Sequence, residues 1–383
     1  MAISKELNDY VVEMRRYFHA HPELSWQEVK TSEKIQAELT KMGIPFVKGK
    51  GTAVIGTIKG GQPGKKLGIR ADIDALPVTE KTGLPFSSEN KGVMHACGHD
   101  SHISILLAAA KCLNEQKEQL KGEIIVIFQP AEEFIQDSGA KYLAEEPSIK
   151  ELDNIIGLHI WGNLDCGQAA LQTGPIMASA DTFDIYVQGK NGHGTSPQMA
   201  IDPIVAGAEV VQALQALVSR ENDPLEPMVI SVTAFNSGNS KNVIPDTAHL
   251  EGTTRSFNNA LRDKFEENMR RVLDGLSMTT RAKITLDYHD GTPATVNHAE
   301  PVKIGQEVAK EIFHEGLVTD FPRVMGGEDF AKYLTHIPGC FMLLGCAPAS
   351  GRFAQHDEHF NLDERSLALG VEYFVNYAKK YLA

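Results

Sequence analysis

The chain of 383 residues holds no apolar run approaching the roughly eighteen residues that a membrane-spanning helix needs. Basic residues are in deficit: 37 Lys and Arg against 50 Asp and Glu leave a formal charge of −13. Nucleic acid and anionic membrane surfaces attract basic patches, so neither is an expected partner. Cysteine is scarce and odd in number, five in all, without the spacing of a disulfide framework. That usage fits reduced thiols in a cytoplasm. The start, MAISKELNDYVVEMRRYF, has no basic segment leading into an apolar core and does not read as a secretory leader. Solenoid-length repeats and low-complexity tracts are missing. So is an HExxH helix, the usual mark of a single-zinc protease.

What is present is an ordinary globular composition, 42% hydrophobic and 23% charged, in a chain long enough for two domains. The first forty residues read as two helices, interrupted at His21-Pro22 and closed by Gly43. Strands follow at 52–58, 66–72, 123–129 and 154–160, with a helix over 101–119. The run Ile124–Phe128 is apolar on both faces, as in a strand covered by helices on both sides. Near residue 180 the texture changes. Alternating strands at 181–190, 228–236, 246–257 and 281–289 are separated by helices at 202–220 and 258–275, the order of a split βαβ or ferredoxin-like unit. After Pro293 come helices at 301–314 and 328–336, a strand at 341–344 and a last helix from about 362 to 381. The expectation is an α/β fold: a mixed, mostly parallel sheet between helices, built from 1–179 and 294–383. An α+β domain would be inserted at 180–293.

Four polar groups punctuate this pattern, three of them at the carboxyl ends of expected strands, where open α/β sheets gather functional groups. They are Asp72 and Asp74 after KLGIRA, Glu132 and Glu133 in QPAEE, His159 in GLHIWG, and the loop MHACGHDSH with His95, Cys97, His99, Asp100 and His102. Singly each has an ordinary reading: a solvated glutamate pair, a hydrogen-bonded core histidine, a helix cap at Asp100 or Ser101. Together they suit metal-assisted hydrolysis. A thiolate and an imidazole two residues apart bind Zn²⁺ or a similar dication. Adjacent glutamates on a strand would point to opposite sides, one to ligate and one to act as base. A rival reading makes Cys97 a nucleophile activated by His95 or His99.

At these residues the chain resembles the co-catalytic metal amidohydrolases related to aminoacylase and carboxypeptidase G. The resembling branch contains N-acyl-amino-acid amidohydrolases, hippurate hydrolases, indoleacetyl-amino-acid hydrolases and acetyldiaminopimelate deacetylases. The blocks run from RRYFHAHPELSWQE (15–28) through RADIDALPV, MHACGHDSH, FQPAEE, GKNGHGTSP and NVIPDTAHLEGTTR to MGGEDFAKYL and HDEHFNLDE (356–364). The resemblance implies Cys97, His99, Glu133, His159 and His356 as ligands of two ions, Mn²⁺, Zn²⁺ or Co²⁺, with Cys97 bridging. It implies Glu132 as general base, with Asp72 and Asp74 behind the metals. His193 would stabilise the oxyanion, while Asn242 and Arg255 would meet the substrate carboxylate. Relatives commonly carry a proline near His356; its absence here predicts a looser loop and weaker metal binding. Spacing back from Phe360 favours His356 over His359 as the ligand.

The function so implied is hydrolysis of the amide of small N-acyl-L-amino acids by a cytoplasmic homodimer joined through the inserted lid domain, with His193 acting within one chain or across the pair. A dipeptidase or carboxypeptidase would use the same site. A non-catalytic metal-binding protein is the more distant alternative.

Overall fold

The computed structural model describes residues 3–383; Met1 and Ala2, where the leader reading and the expected catalytic domain begin, lie outside the described residues. Helix α1 (Lys5–Ala20) starts where the Ser4 hydroxyl accepts from the Leu7 amide, and it buries the stripe Leu7, Val11, Met14 and Phe18. Helix α2 (Val29–Lys41) is closed by Gly43 at φ +68°, a left-handed turn that glycine makes freely. Strands β1 (Phe46–Lys48), β2 (Val54–Lys59) and β3 (Gln62–Asp72) precede helix α3 (His99–Glu115). Strands β4 (Lys121–Gln129), β5 (Asn154–Asp165) and β6 (Ala169–Ala170) follow.

Next comes the alternating segment: β7 (Ala180–Gln188), helix α4 (Pro203–Ala216), β8 (Met228–Ser237), β9 (Thr247–Ser256), helix α5 (Phe265–Thr280) and β10 (Lys283–Thr292). Asp202 caps α4, its carboxylate accepting from the Ile204 amide at 2.8 Å with Pro203 in the first turn. The four strands form an antiparallel sheet in the order β8-β9-β7-β10. That is the split βαβ order. Phe183, Ile185 and Val187 pack on Val210, Leu214, Met269 and Leu273, so one face is helix-covered and the other carries Asp184 and Tyr186.

The chain ends with helix α6 (Ala299–Phe313), β11 (Leu317–Val318), β12 (Gly339–Ala347) and helix α7 (Arg365–Tyr381). The large sheet runs β1-β2-β4-β3-β5-β12-β6-β11, and its central junctions β4-β3, β3-β5 and β5-β12 are parallel. Ile124, Val126, Ile127 and Phe128 of β4 are fully buried, which requires cover on both faces. Among the described residues no helix is long and apolar enough to cross a membrane.

Two compact units emerge. One takes in the chain up to Gly174 with Val296–Pro322 and Asp329–Ala383; the other is Pro175–Thr295 with Arg323–Glu328. The second is wider than 180–293 because the Ala178 amide donates to the carbonyls of Val324 and Gly326, and the Arg323 guanidinium lies 4.6 Å over the Phe257 ring. The helix expected at 101–119 runs from His99 to Glu115, and three others depart further from expectation. The one at 328–336 shrinks to Ala331–Leu334, since the Asp329 carboxylate is engaged by Arg70 and Gln129. That at 258–275 breaks after a short turn capped by Asn258 and resumes from Phe265 to Thr280. The helix begun at Asp202 passes into a wider turn at Leu217–Glu221.

Candidate metal centre

Burial sets the electrostatics of this centre. Asp72 ends β3 and Asp74 follows it; Glu132 and Glu133 lie past the end of β4; Cys97 and His99 flank the start of α3; His356 sits in the loop before α7. His159 is inside β5 rather than at its end. Pairing with β3 stops at Gly157, but β12 continues alongside β5 as far as Asp165. Helix α3 begins at His99 behind Gly98, so neither Asp100 nor Ser101 is its cap. Asp100 instead turns back to Arg15 and His19.

The hydrogen bonds assign the histidine tautomers. His99 donates from Nδ1 to the Asp74 carbonyl at 2.9 Å, and His159 from Nδ1 to the Ile160 carbonyl at 2.6 Å. Both leave Nε2 free to ligate. His159 Nε2 lies 3.4 Å from the Cys97 sulfur. His99 Nε2 is buried and has no hydrogen-bond partner, yet faces Glu132 and Glu133 oxygens, each at 3.9 Å. That separation is too long for a hydrogen bond and within the span of two ligands on one ion at about 2 Å each. On the other side His356 Nε2 is 3.3 Å from Glu133 Oε1. Two triads therefore share one sulfur: Cys97 with His99 and His159, and Cys97 with Glu133 and His356. The donor set fits a pair of dications.

The two glutamates do not diverge as strand geometry predicts; both face His99. Ala131 takes φ +56°, turning the chain out of the strand, and two buried carboxylates hold the turn. Glu28 accepts from the Ala131 amide at 2.9 Å, while Asp74 accepts from the amides of Glu132 and Glu133 at 3.1 and 3.0 Å. Neither Glu28 nor His102 is readable in this role from sequence. His102 accepts from the Ile160 amide on Nε2 and donates from Nδ1 to Asp72, so both nitrogens are committed. Asp72 is in turn bonded by Arg70, which also reaches Asp329.

Burial would lower the His99 pKa, but Asp72, Asp74 and Glu133 outweigh it and raise it to about 10. The field that holds a proton there would hold a cation. Burial first, then Glu133 and Glu132, pushes the Cys97 thiol well up. A nucleophilic cysteine needs the opposite environment, whereas a bound dication would deprotonate the thiol outright.

Comparison with known proteins now has a geometry to meet. The sequence pattern of peptidase family M20/M25/M40 matches residues 68–380. The chain belongs to that family. Its members hydrolyse amide bonds, and so this chain is a hydrolase of the M20 type. It is 39% identical over 372 residues to thermostable carboxypeptidase 1 of Saccharolobus solfataricus, covering 96% of this chain and 94% of that one. It is 38% identical to the N-acetylcysteine deacetylase of Bacillus subtilis, covering 98% and 97%. A crystal structure from Bacillus subtilis, described as a dinuclear metal-binding peptidase of the M20 family, superposes with a TM-score of 0.85 at 37% identity, covering 99% of both chains.

The remaining expected site residues of this M20 chain lie in the second unit. His193 and Asn242 are neighbours: His193 pairs with Val243 in a two-stranded ladder, and the Gly194 amide donates to the Asn242 carbonyl at 2.9 Å. The His193 ring is exposed and bonded to Thr195. Arg255 on β9 spends one nitrogen on the Thr254 carbonyl and Thr253, and burial lowers its pKa. In the first unit His359 turns away to Asp357. The loop of His356 lacks the proline but is pinned: its amide donates to the Ala96 carbonyl, Gln355 donates to Ile160, and the Lys81 amide donates to Glu358.

Proposed function

We propose that this chain cleaves the amide of small N-acyl-L-amino acids, R–CO–NH–CHR′–COO⁻, using two divalent cations per chain. Cys97, His99 and His159 would hold one ion, and Cys97, Glu133 and His356 the other. The observation that carries the reading is the sulfur shared by two triads, with Glu132 facing the same unpartnered His99 nitrogen. When bound, such cations supply Lewis acidity that makes water acidic near neutral pH and polarises a carbonyl. Glu132 takes a proton from the attacking water and returns it to the leaving amine nitrogen. Asp74 holds Glu132 through its amide and His99 through Nδ1, and Asp72 holds His102. By the family resemblance His193, from the same chain or from its partner, would donate to the carbonyl oxygen as charge grows there, and Arg255 with Asn242 would meet the substrate carboxylate.

Purified protein should turn over N-acetyl- and N-benzoyl-amino acids, lose activity in chelator, and recover it with Mn²⁺, Zn²⁺ or Co²⁺. Full activity in metal-free protein would overturn the reading. A second reading, carboxypeptidase or dipeptidase activity at the same site, is favoured by the carboxypeptidase at 39% identity; parallel kcat/KM values on acyl-amino acids and dipeptides separate the two. We further propose a cytoplasmic homodimer joined through the second unit. Edge strand β8 presents Phe235, and Ile204 and Val205 of α4 are also exposed, an apolar surface of the kind that dimers cover.

A further inference from the structure

We propose a separate metal site on the open face of the four-stranded sheet, where Asp184, His249, His289 and Glu251 take one late transition-metal dication such as Zn²⁺. It shares no residue with the Cys97 centre. In the register of the sheet, Glu251 on β9 and Asp287 on β10 both stand directly opposite Asp184 on β7. Three carboxylates thus form a row across three adjacent strands, an arrangement that destabilises a sheet unless positive charge offsets it. Among the described residues no Lys or Arg forms an ion pair with any of the three; two imidazoles do so with the middle one. His249 Nε2 lies 2.6 Å from one Asp184 oxygen and His289 Nε2 lies 3.1 Å from the other.

The geometry is that of ligands already gathered. Tyr186 stacks on the His249 ring at 4.6 Å and 6°, fixing the plane in which its nitrogen points. Ligand atoms of Asp184, His249 and Glu251 all lie within 4.8 Å of one another, and Zn²⁺ bonds of about 2.0–2.2 Å require a small side-chain rearrangement in which the 2.6 Å His249–Asp184 hydrogen bond opens to admit the ion. Two imidazoles and two carboxylates prefer Zn²⁺, Ni²⁺ or Cu²⁺ to Mg²⁺ or Ca²⁺, which take oxygen donors almost exclusively. Every donor stands on a strand, so the backbone holds it in place. A dication here would cancel the like-charge row and stabilise the second unit by mass action.

The test counts bound metal. Full-length protein is stripped with chelator, equilibrated at micromolar free Zn²⁺, and its zinc measured per chain against a His249→Ala/His289→Ala double variant. The expected result is about one Zn²⁺ per chain more in the parent protein, whatever number the Cys97 centre holds, with unchanged turnover after Mn²⁺ reconstitution. Zn²⁺ should also raise the melting temperature further in the parent than in the variant. His289→Ala alone, at a half-exposed position, serves as the second variant and should lose the same ion. Equal zinc counts in all three proteins would overturn the proposal, because the site would then hold hydrogen-bonded imidazoles only.

Discussion

Three consecutive amides, those of Ala131, Glu132 and Glu133, are gripped by two buried carboxylates, and the position of Glu132, the proposed base, depends on that grip. Glu132→Gln keeps the shape and removes the proton acceptor. Its kcat should fall about 10²–10⁴-fold with metal content unchanged, measured by steady-state kinetics and elemental analysis. Glu28→Ala frees the left-handed Ala131 turn, so kcat should fall about 10–100-fold, as for other residues that orient a site. KM and bound metal should stay near the parent values; a loss of metal in step with activity would assign Glu28 to folding instead. At this scale the sequence was legible where chemistry is written in residue type: Cys97, His99, Glu132, Glu133, His159 and His356 converge in one place. Glu28 and His102 were not. Their work depends on backbone amides far along the chain, and no residue type announces such a partner.

Helix α3 reaches the centre only because Gly98 allows it. At φ +85° an added Cβ would lie 2.1 Å from Ile160 Cδ1, so Gly98→Ala combines a strained backbone with a clash. It should destabilise the fold by about 2–4 kcal/mol and displace His99 and the strand of His159. The checks are a lowered melting temperature and a lowered metal content. Elements were readable wherever apolar periodicity was long, as in α1, β4 and the split βαβ segment. The expected helix at 328–336 is cut to Ala331–Leu334 for a reason periodicity does not carry: Asp329 is buried and bonded to Arg70, and the start of the stretch serves that ion pair instead. Similarly, the opposed glutamates assumed a strand that Ala131 had already ended.

Across the first unit, a buried chain of charges joins α1, α3 and the start of α7. Asp100 receives Arg15 and His19, His19 also meets Glu80 at 3.2 Å, and Arg15 reaches Glu364. Burial alone would raise the Glu80 pKa, but His19 and the Ser88 amide bring it from 4.5 down to about 2. Its stabilisation is therefore complete above about pH 4.5 and lost as pH falls towards 2. His19 behaves oppositely: burial lowers its pKa, Asp100 and Glu80 outweigh this, and the net shift is upward from 6.5. Its share is full below about pH 6.5 and lost as pH rises through the raised value. Glu80→Gln should thus depress the melting temperature most near pH 5–6, with the gap to the parent narrowing towards pH 2. At the level of assembly, Phe235→Asp with Ile204→Asp should leave only monomers in sedimentation where the parent protein sediments as the proposed dimer. Mixed Glu132→Ala and His193→Ala chains regain activity only if His193 serves its neighbour's site.

One feature of the centre also fixes the proton inventory of metal loading. Without ions, His99 and the Cys97 thiol both hold protons at neutral pH, since their pKa values are raised to about 10 and well above the ordinary thiol value. Each cation that takes these atoms must expel what they carry. Filling the two shared triads releases protons into the medium, and apparent affinity climbs with pH until those groups no longer need emptying. A pH-stat should register acid on the addition of metal at constant pH, and the signal should vanish in Cys97→Ala/His99→Ala protein. With Cys97 as the proposed shared ligand, the thiol proton would be released on behalf of both ions, whereas the His99 proton would belong to one triad alone.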